Sequence, residues 1–431
     1  MKHCIVVGGG FAGLSASVYL ADENLKITLL EASPKLGGRA YSLYSKENDC
    51  YYDNGQHILM GCYNETIAFL KKINSYAKLD FQESLSISFV QQGGVIHKLS
   101  APKYCHPLNL LFAIMNYKAL GLKDRLKIID VFLDLLCGYS DNLKSKTVKE
   151  WLNSKNQSAD NNKAFWDVLI NGALNTSSEK ASAELFSEIL KQIFLADNFS
   201  STIILPGTDL TNLYIGDAIN FISAREGKIN LNEKVIAVVS ENRKIVKIET
   251  NKNIYEDFDF IVMAIPTHAV EKINFPDSSK PGIPKLNYSP ILNVHFRLNE
   301  NPFKEKFYGL INSKIHWLFN HGNYISLTAS SADDLIEYDN DKIKTLFLSE
   351  LEKFFPIFRS KFVNYSIVIK EKRATFIPDV VSIELRNNIY SPFDNLSFAG
   401  DWTNTGLPST IESAVLSGKT AANYVLSFLN N

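Results

Sequence analysis

Apolar and polar positions along the chain fall into two periods, and the alternation between them lays out its elements. Cys4-Ile5-Val6-Val7 is a short β-branched apolar run, which predicts a buried parallel strand. Ala12 to Ala21, rich in Ala, Leu and Ser, predicts a helix, and Lys26-Ile27-Thr28-Leu29-Leu30 predicts a second strand ending at Glu31. Thr66 to Ile73 places Ile67, Leu70 and Ile73 on one helical face. Strand-like pieces at Leu85–Val90 and Val95–Leu99 then lead into a helical region reaching about residue 200. Within it, Pro107–Gly121 and Leu126–Leu136 are markedly apolar. Two readings stay open for this pair: core helices of a substrate domain, or amphipathic helices lying on a bilayer.

Strand pattern returns at Ile203–Leu210, where a turn opens a helix to Ala224 with Thr208 or Asp209 as N-cap. Lys228–Val238 is strand-like, 245–250 and 254–256 predict a hairpin, and Phe260–Pro266 a buried strand stopped by proline. Residues 270–365 form a second excursion, with strands at Ile291–Leu298 and Tyr324–Ser330 and a helix near 341–355. Ser397–Trp402 then predicts a strand ending in Gly400-Asp401, and Leu407–Ala414 opens a last helix to about Leu429.

The first strand, helix and strand enclose Gly8, Gly10 and Gly13 in the G-x-G-x-x-G positions of a dinucleotide-binding βαβ unit. Such a unit presents a helix N-terminus to a pyrophosphate, and Glu31 stands where a carboxylate accepts from a ribose hydroxyl. Gly37-Gly38-Arg39 follows and adds backbone and a guanidinium able to meet phosphates. This extended pattern resembles the FAD-binding segment of flavin amine oxidases and isoprenoid desaturases, so FAD is the expected cofactor. Near the other end, Gly400-Asp401 before a helix N-terminus offers donors to flavin or phosphate oxygens, and Asp401 an acceptor for a ribityl hydroxyl. Tyr51 to Gly61 contains the Asn54-Gly55 turn signal, which reads either as a flavin-facing cluster or as a solvated turn.

The expected class is α/β: a Rossmann-like FAD-binding domain (1–78, 201–270 and 369–431) with an inserted α+β substrate domain (79–200 and 271–368). A chain of 431 residues can bury the core this needs. A net charge of −1, from 45 basic and 46 acidic residues, does not imply a nucleic-acid partner. The five cysteines form no C-x-x-C pair and read as reduced thiols. The first strand begins at about residue 3, which leaves no room for a signal peptide, and no apolar run reaches the length of a membrane span. A cytoplasmic protein is expected, with contact at the membrane surface left open. No H-E-x-x-H or G-x-S-x-G occurs, so neither metal nor covalent hydrolytic chemistry is suggested. Ser417-Gly418-Lys419-Thr420 imitates the end of a P-loop, but the position that needs the earlier glycine holds Ser413.

Further motifs run nearly the whole length: Asp53-Asn54-Gly55-Gln56-His57-Ile58-Leu59 with Gly61, Asn175-Thr176-Ser177, Ala181-Ser182-Ala183, Leu205-Pro206 with Asp209-Leu210, Lys372-Arg373-Ala374-Thr375-Phe376, Ala399 to Thr403, and Gly406 to Glu412. Together they resemble the squalene-associated FAD-dependent desaturases, a family whose activity is hydroxysqualene dehydroxylation. The resemblance implies that Gly8, Gly10, Phe11, Ala12, Gly13, Glu31, Ala32, Gly37, Gly38 and Arg39 hold the ADP half of FAD. It puts Val235 at the adenine-facing strand, and Gly400, Asp401, Thr410 and Ile411 at the flavin end. Asn54, Gly55, Gln56 and His57 join the cofactor set, His57 either beside the flavin ring or as a structural residue. His57 and Arg373 are the candidate catalytic side chains, and an isoprenoid lipid such as hydroxysqualene is the implied substrate. A phytoene-type desaturase and a non-catalytic prenyl-binding flavoprotein are the rival readings.

Overall fold

In the computed structural model, residues 1–138, 143–276 and 279–430 are described. The opening βαβ unit forms as its pattern dictates: strand His3–Val7, helix Phe11–Asp22 and strand Lys26–Glu31. Both strands are buried along their centres, as a parallel sheet covered on two faces requires. They sit in a five-stranded sheet in the order Lys228–Leu231, Lys26–Glu31, His3–Val7, Phe260–Met263, Leu396–Phe398, with every neighbour parallel. Strands drawn from four distant parts of the sequence therefore build one cofactor sheet, and their carboxyl ends define one crevice.

The last helix, Ile411–Asn430, packs on the first. The P-loop imitation lies inside it. A Cβ on Gly418 would stand 2.2 Å from the Ala12 carbonyl oxygen, so this glycine lets the two helices touch backbone to backbone. Ser15 Oγ donates to Val415 O at 2.9 Å, and Lys419 pairs with Glu65 at 2.7 Å.

A second, seven-stranded sheet runs Val363–Phe376, Tyr288–Leu298, Tyr324–Ala329, Trp317–Asn320, Phe307–Leu310, Ser86–Gln91, Val95–Ser100. Its pairs are antiparallel except Phe307–Leu310 with Ser86–Gln91. One face packs on helix Asn340–Phe354 through Val294, Phe296, Ile343, Phe347 and Leu351. Helices between 108 and 194 cover its far end around Phe89, Trp166 and Phe186.

Differences from the sequence pattern are local. The boundary expected between 368 and 369 falls inside the strand Val363–Phe376, which pairs with Tyr288–Leu298 from Val363 to Phe376, so residues 369–376 belong to the second sheet. The helix expected to 224 begins as a π-turn, Thr211–Ile215, before Gly216–Ser223. The strand expected over 397–402 stops at Phe398, and the last helix starts at Ile411 rather than near Leu407. The hairpin Ser42–Ser45 with Cys50–Asp53 has no counterpart in the sequence reading.

Candidate active site

The crevice floor is made of two glycine loops. A Cβ on Gly13 would lie 1.8 Å from Gly8 O, so the helix closes tightly on the first turn. Gly37 N–H donates to Gly9 O at 2.8 Å and binds the second loop to the first. Gly10 differs from these: a Cβ there would meet nothing nearer than Gly38 Cα at 3.8 Å. The backbone at Gly10 therefore faces open space at the helix N-terminus, where no side chain caps the free N–H groups. A diphosphate fits this cradle.

Glu31 closes one end of the cradle. Its Oε2 accepts from Gly9 N–H at 2.7 Å and Oε1 from Ser33 N–H at 2.8 Å, which leaves lone pairs for a ribose hydroxyl. Ala32 is exposed in the following turn. Val235 is buried with Val7 and Leu30, and the adjoining Glu233 N–H donates to Glu31 O at 2.8 Å. The structure thus brings Val235 to the Glu31 end of the crevice. Phe11 contributes backbone only, because its ring stacks on Tyr214 at 3.8 Å inside the core. Ala12 is buried beneath the last helix.

At the other end, Arg39 reaches across to Asp401, with Nη2 at 2.5 Å from Oδ1, and Nη1 donates to Ala374 O at 2.9 Å. Ser409 Oγ donates to the second Asp401 oxygen. Burial opposes the Asp401 charge, but the Arg39 guanidinium and these hydrogen bonds prevail and hold its carboxyl below the usual range. Two Arg39 nitrogens are thus taken by the chain itself, so this guanidinium fixes the Gly400–Asp401 turn. Gly400 sits at φ +142, and its N–H donates to Ser417 Oγ at 2.8 Å. Thr410 Oγ1 accepts from Ser413 N–H at 3.1 Å, which caps the last helix and leaves the Ile411 amide at its open N-terminus.

The Asp53–His57 segment is not a solvated turn. Asn54 is buried, donates to Arg39 O at 2.7 Å and accepts from Tyr41 N–H at 3.1 Å, while Asn293 Nδ2 donates to its carbonyl at 3.2 Å. Gly55 lies against Asn293, which a Cβ would approach to 3.1 Å. Gln56 Oε1 meets His321 Nε2 at 3.1 Å. His57 keeps a buried polar atom unspent: its Nε2 has no hydrogen-bond partner among the described residues. Burial and the nearby Arg39 charge push the ring down to about 4. At neutral pH His57 is therefore an uncharged hydrogen-bonding group. Arg373 is exposed, next to the carbonyl that Arg39 holds and close enough to His268 to add to the burial that lowers that ring.

Two buried residues were not visible as site residues in the sequence. Arg386 donates to Thr403 O at 2.5 Å and 3.1 Å and clamps the loop after Asp401. Glu412 accepts from Glu65 N–H, Thr66 N–H and Thr66 Oγ1 at 2.7–2.9 Å, joining the last helix to helix Asn64–Lys72. Glu412 follows Ile411 as a charged residue at a helix start, which is the one local signal for it. Arg386 carried none. Asn175 of the internal motifs is a stitch, bonded to Thr375, Ser289 and Ser331 across the two layers.

A parallel dinucleotide-type sheet whose crevice ends in a Gly-Asp turn, set against a large antiparallel sheet, defines a two-domain flavoprotein oxidoreductase. The chain belongs to the flavin containing amine oxidoreductase family, whose family model matches residues 11–426. It is an FAD-dependent oxidoreductase. It is similar to a hydroxysqualene dehydroxylase of Zymomonas mobilis, 24% identical over 98% of this chain and 98% of that one. It is also similar to a 15-cis-phytoene desaturase of Glycine max, 25% identical over 98% of this chain but 79% of that one. Among solved structures, an oxidoreductase from Methanosarcina mazei shares the fold with a TM-score of 0.75 and 18% identity, over 98% of this chain and 100% of that one. Among the described residues no helix is long and apolar enough to cross a membrane, and no group of side chains could hold a metal ion.

Proposed function

We propose that this oxidoreductase reductively removes the allylic hydroxyl of hydroxysqualene to give squalene. The observation that carries the reading is the end-to-end match with the Zymomonas mobilis dehydroxylase, against a partial match to the longer plant desaturase. The net reaction is R–OH plus a hydride and a proton, giving R–H and water: the C–O bond breaks and a C–H bond forms. Bound FAD, in its reduced form, supplies the hydride.

The chain's own residues have the remaining tasks. The Gly8–Gly13 and Gly37–Gly38 loops, with Glu31, would hold the ADP half, and the Gly400–Asp401 turn with Thr410 and Ile411 the flavin end. His57, neutral and with a free ring nitrogen, would meet the substrate hydroxyl by a hydrogen bond rather than as a stored proton. Keeping this ring uncharged also suits a reaction that develops positive charge on an allyl group. Arg373 would act from the exposed side of the Arg39–Asp401 pair.

Anaerobic incubation of the FAD-loaded, dithionite-reduced protein with hydroxysqualene, followed by lipid mass spectrometry, tests the reading. Squalene formed with reduced but not oxidised protein is the expected result. A reducible FAD complex that forms no squalene, but dehydrogenates phytoene when oxidised, would replace the proposal with the desaturase reading.

A further inference from the structure

We infer that Asn175 is a positioning residue for the cofactor site: it fixes a bulge at residues 372–374 whose Ala374 carbonyl holds the Arg39 guanidinium. The bulge has its origin in a proline. Strand Tyr288–Leu298 has a neighbour on each side, and Pro290 within it has no N–H to give to the ladder. Ser289 pairs with Thr375 and Ile291 with Glu371, so Lys372, Arg373 and Ala374 stand together opposite Pro290. A carbonyl released from the ladder in this way needs another partner. That of Ala374 takes Arg39 Nη1 at 2.9 Å, while Nη2 of the same guanidinium reaches Asp401. The bulge therefore decides where one arm of Arg39 can rest.

Asn175 reaches the bulge from the helical layer. It follows helix Asp167–Leu174 in the left-handed region, at φ +47, and its N–H donates to Asn171 O at 3.2 Å. Glycine would serve that cap as well, so capping does not account for the asparagine side chain. The side chain is buried and engaged at both ends of its amide. Nδ2 donates to Thr375 Oγ1 at 2.9 Å and to Ser289 O at 3.3 Å, and Oδ1 accepts from Ser331 N–H at 2.7 Å. Ser289 and Thr375 are the paired residues that border the bulge, so one amide ties both strands at that point. Ser331 Oγ also donates to Asn171 Oδ1 at 3.1 Å, which steadies the contact from the helix side. Asn175 thus acts on Arg39 through Thr375 and its covalent neighbour Ala374. The inference rests on FAD as the cofactor and is independent of the proposed substrate.

A double-mutant cycle on FAD affinity tests it, read by titrating the full-length apoprotein with FAD. Asn175→Gly keeps the backbone conformation and removes the amide, and Thr375→Val removes only the hydroxyl. Arg39→Lys keeps a charge for Asp401 but cannot also hold Ala374 O. Asn175→Gly and Arg39→Lys should each weaken FAD binding by about tenfold, and Thr375→Val by about threefold. Added to Arg39→Lys, neither of the other two should weaken it by more than about twofold further. Leu190→Ala, in the core of the same helical layer, should lower the melting temperature and leave FAD affinity unchanged. If Asn175→Gly does not fold, Thr375→Val with Arg39→Lys completes the cycle on its own. Effects that multiply in the double variants, or Asn175 and Thr375 variants that bind FAD as the wild type does, would overturn the inference. So would a loss of affinity in Leu190→Ala equal to that in Asn175→Gly.

Discussion

Arg39 and Asp401 lie 362 positions apart and meet at 2.5 Å, joining the second glycine loop to the turn before the last helix. The pair joins the carboxyl-end loop after one strand of the parallel sheet to the loop after another, which are the two places proposed to hold the ends of FAD. Asp401 is almost fully buried, whereas the Arg39 side chain is 35% exposed. Asp401→Ala should therefore cost about 2–3 kcal/mol, less than the roughly 3–5 kcal/mol of a fully buried pair. Because the Asp401 carboxyl is depressed, its contribution is present above the unfolded value near 3.9 and lost as pH falls through the folded value. Denaturant unfolding should show the difference between wild type and variant to be constant from about pH 5 upward. Retained FAD, read from the flavin-to-protein absorbance ratio, should fall as well.

Gly10→Ala and Gly13→Ala should separate cofactor binding from folding. At Gly13 the new methyl would collide with Gly8 O, so expression or thermal stability should collapse. At Gly10 it would enter open space, so the protein should fold and melt normally while FAD affinity drops by tenfold or more. Normal FAD binding by Gly10→Ala would remove the diphosphate from that cradle.

Asp53 points to an acid-side pH dependence. Burial raises its carboxyl to about 6, despite hydrogen bonds from Leu210 N–H and Ser42 Oγ. Its neutral form is favoured on folding, so that contribution is full below about 3.9 and is lost as pH rises through about 6. Relative to Asp53→Asn, the wild type should lose on the order of 3 kcal/mol of stability between pH 4 and pH 7. Parallel stability curves for the two proteins would show that Asp53 does not titrate in this way.

His57 should stay uncharged through the working range. With the folded ring near 4 and the unfolded ring near 6.5, the unfolded chain binds the extra proton between those values, so this histidine destabilises the fold as pH falls through that window. Histidine NMR should place its midpoint below 5, and His57→Phe should lessen the loss of stability between about pH 6.5 and 4. In single-turnover work the same variant should slow hydride transfer without shifting its pH profile. A midpoint of 6–7 for His57 would contradict the role of an uncharged hydrogen-bonding group.

How much could be read from the sequence followed the range of the interactions. The βαβ unit was plain because strand, turn and helix are each set by neighbours within a few residues. The partner of Arg39 was not, since nothing near Arg39 or Asp401 encodes the other. For the same reason no local motif marks Arg386, which clamps the Thr403 carbonyl from a buried position. The hairpin 42–53 is short and half exposed, so its apolar pattern is weak, and Asp53 and Asn54 owe their burial to contacts with Leu210 and Asn293. The boundary expected at 368/369 cuts the strand 363–376, whose lysines and arginine interrupt its apolar pattern while its backbone pairing runs, with two register shifts, from Val363 to Phe376.

The order of the cofactor sheet also governs when the crevice can exist. Strand His3–Val7 is synthesised some 250 residues before its flanking partner Phe260–Met263, and Leu396–Phe398 and the last helix follow later still. Until they emerge, the first helix lacks the helix that covers it, and the glycine loops lack the turn that faces them. Folding of the cofactor domain is thus a late, long-range event, with slow closure built into its contact order. A nascent chain halted before residue 396 should remain open at this sheet edge and unable to retain flavin.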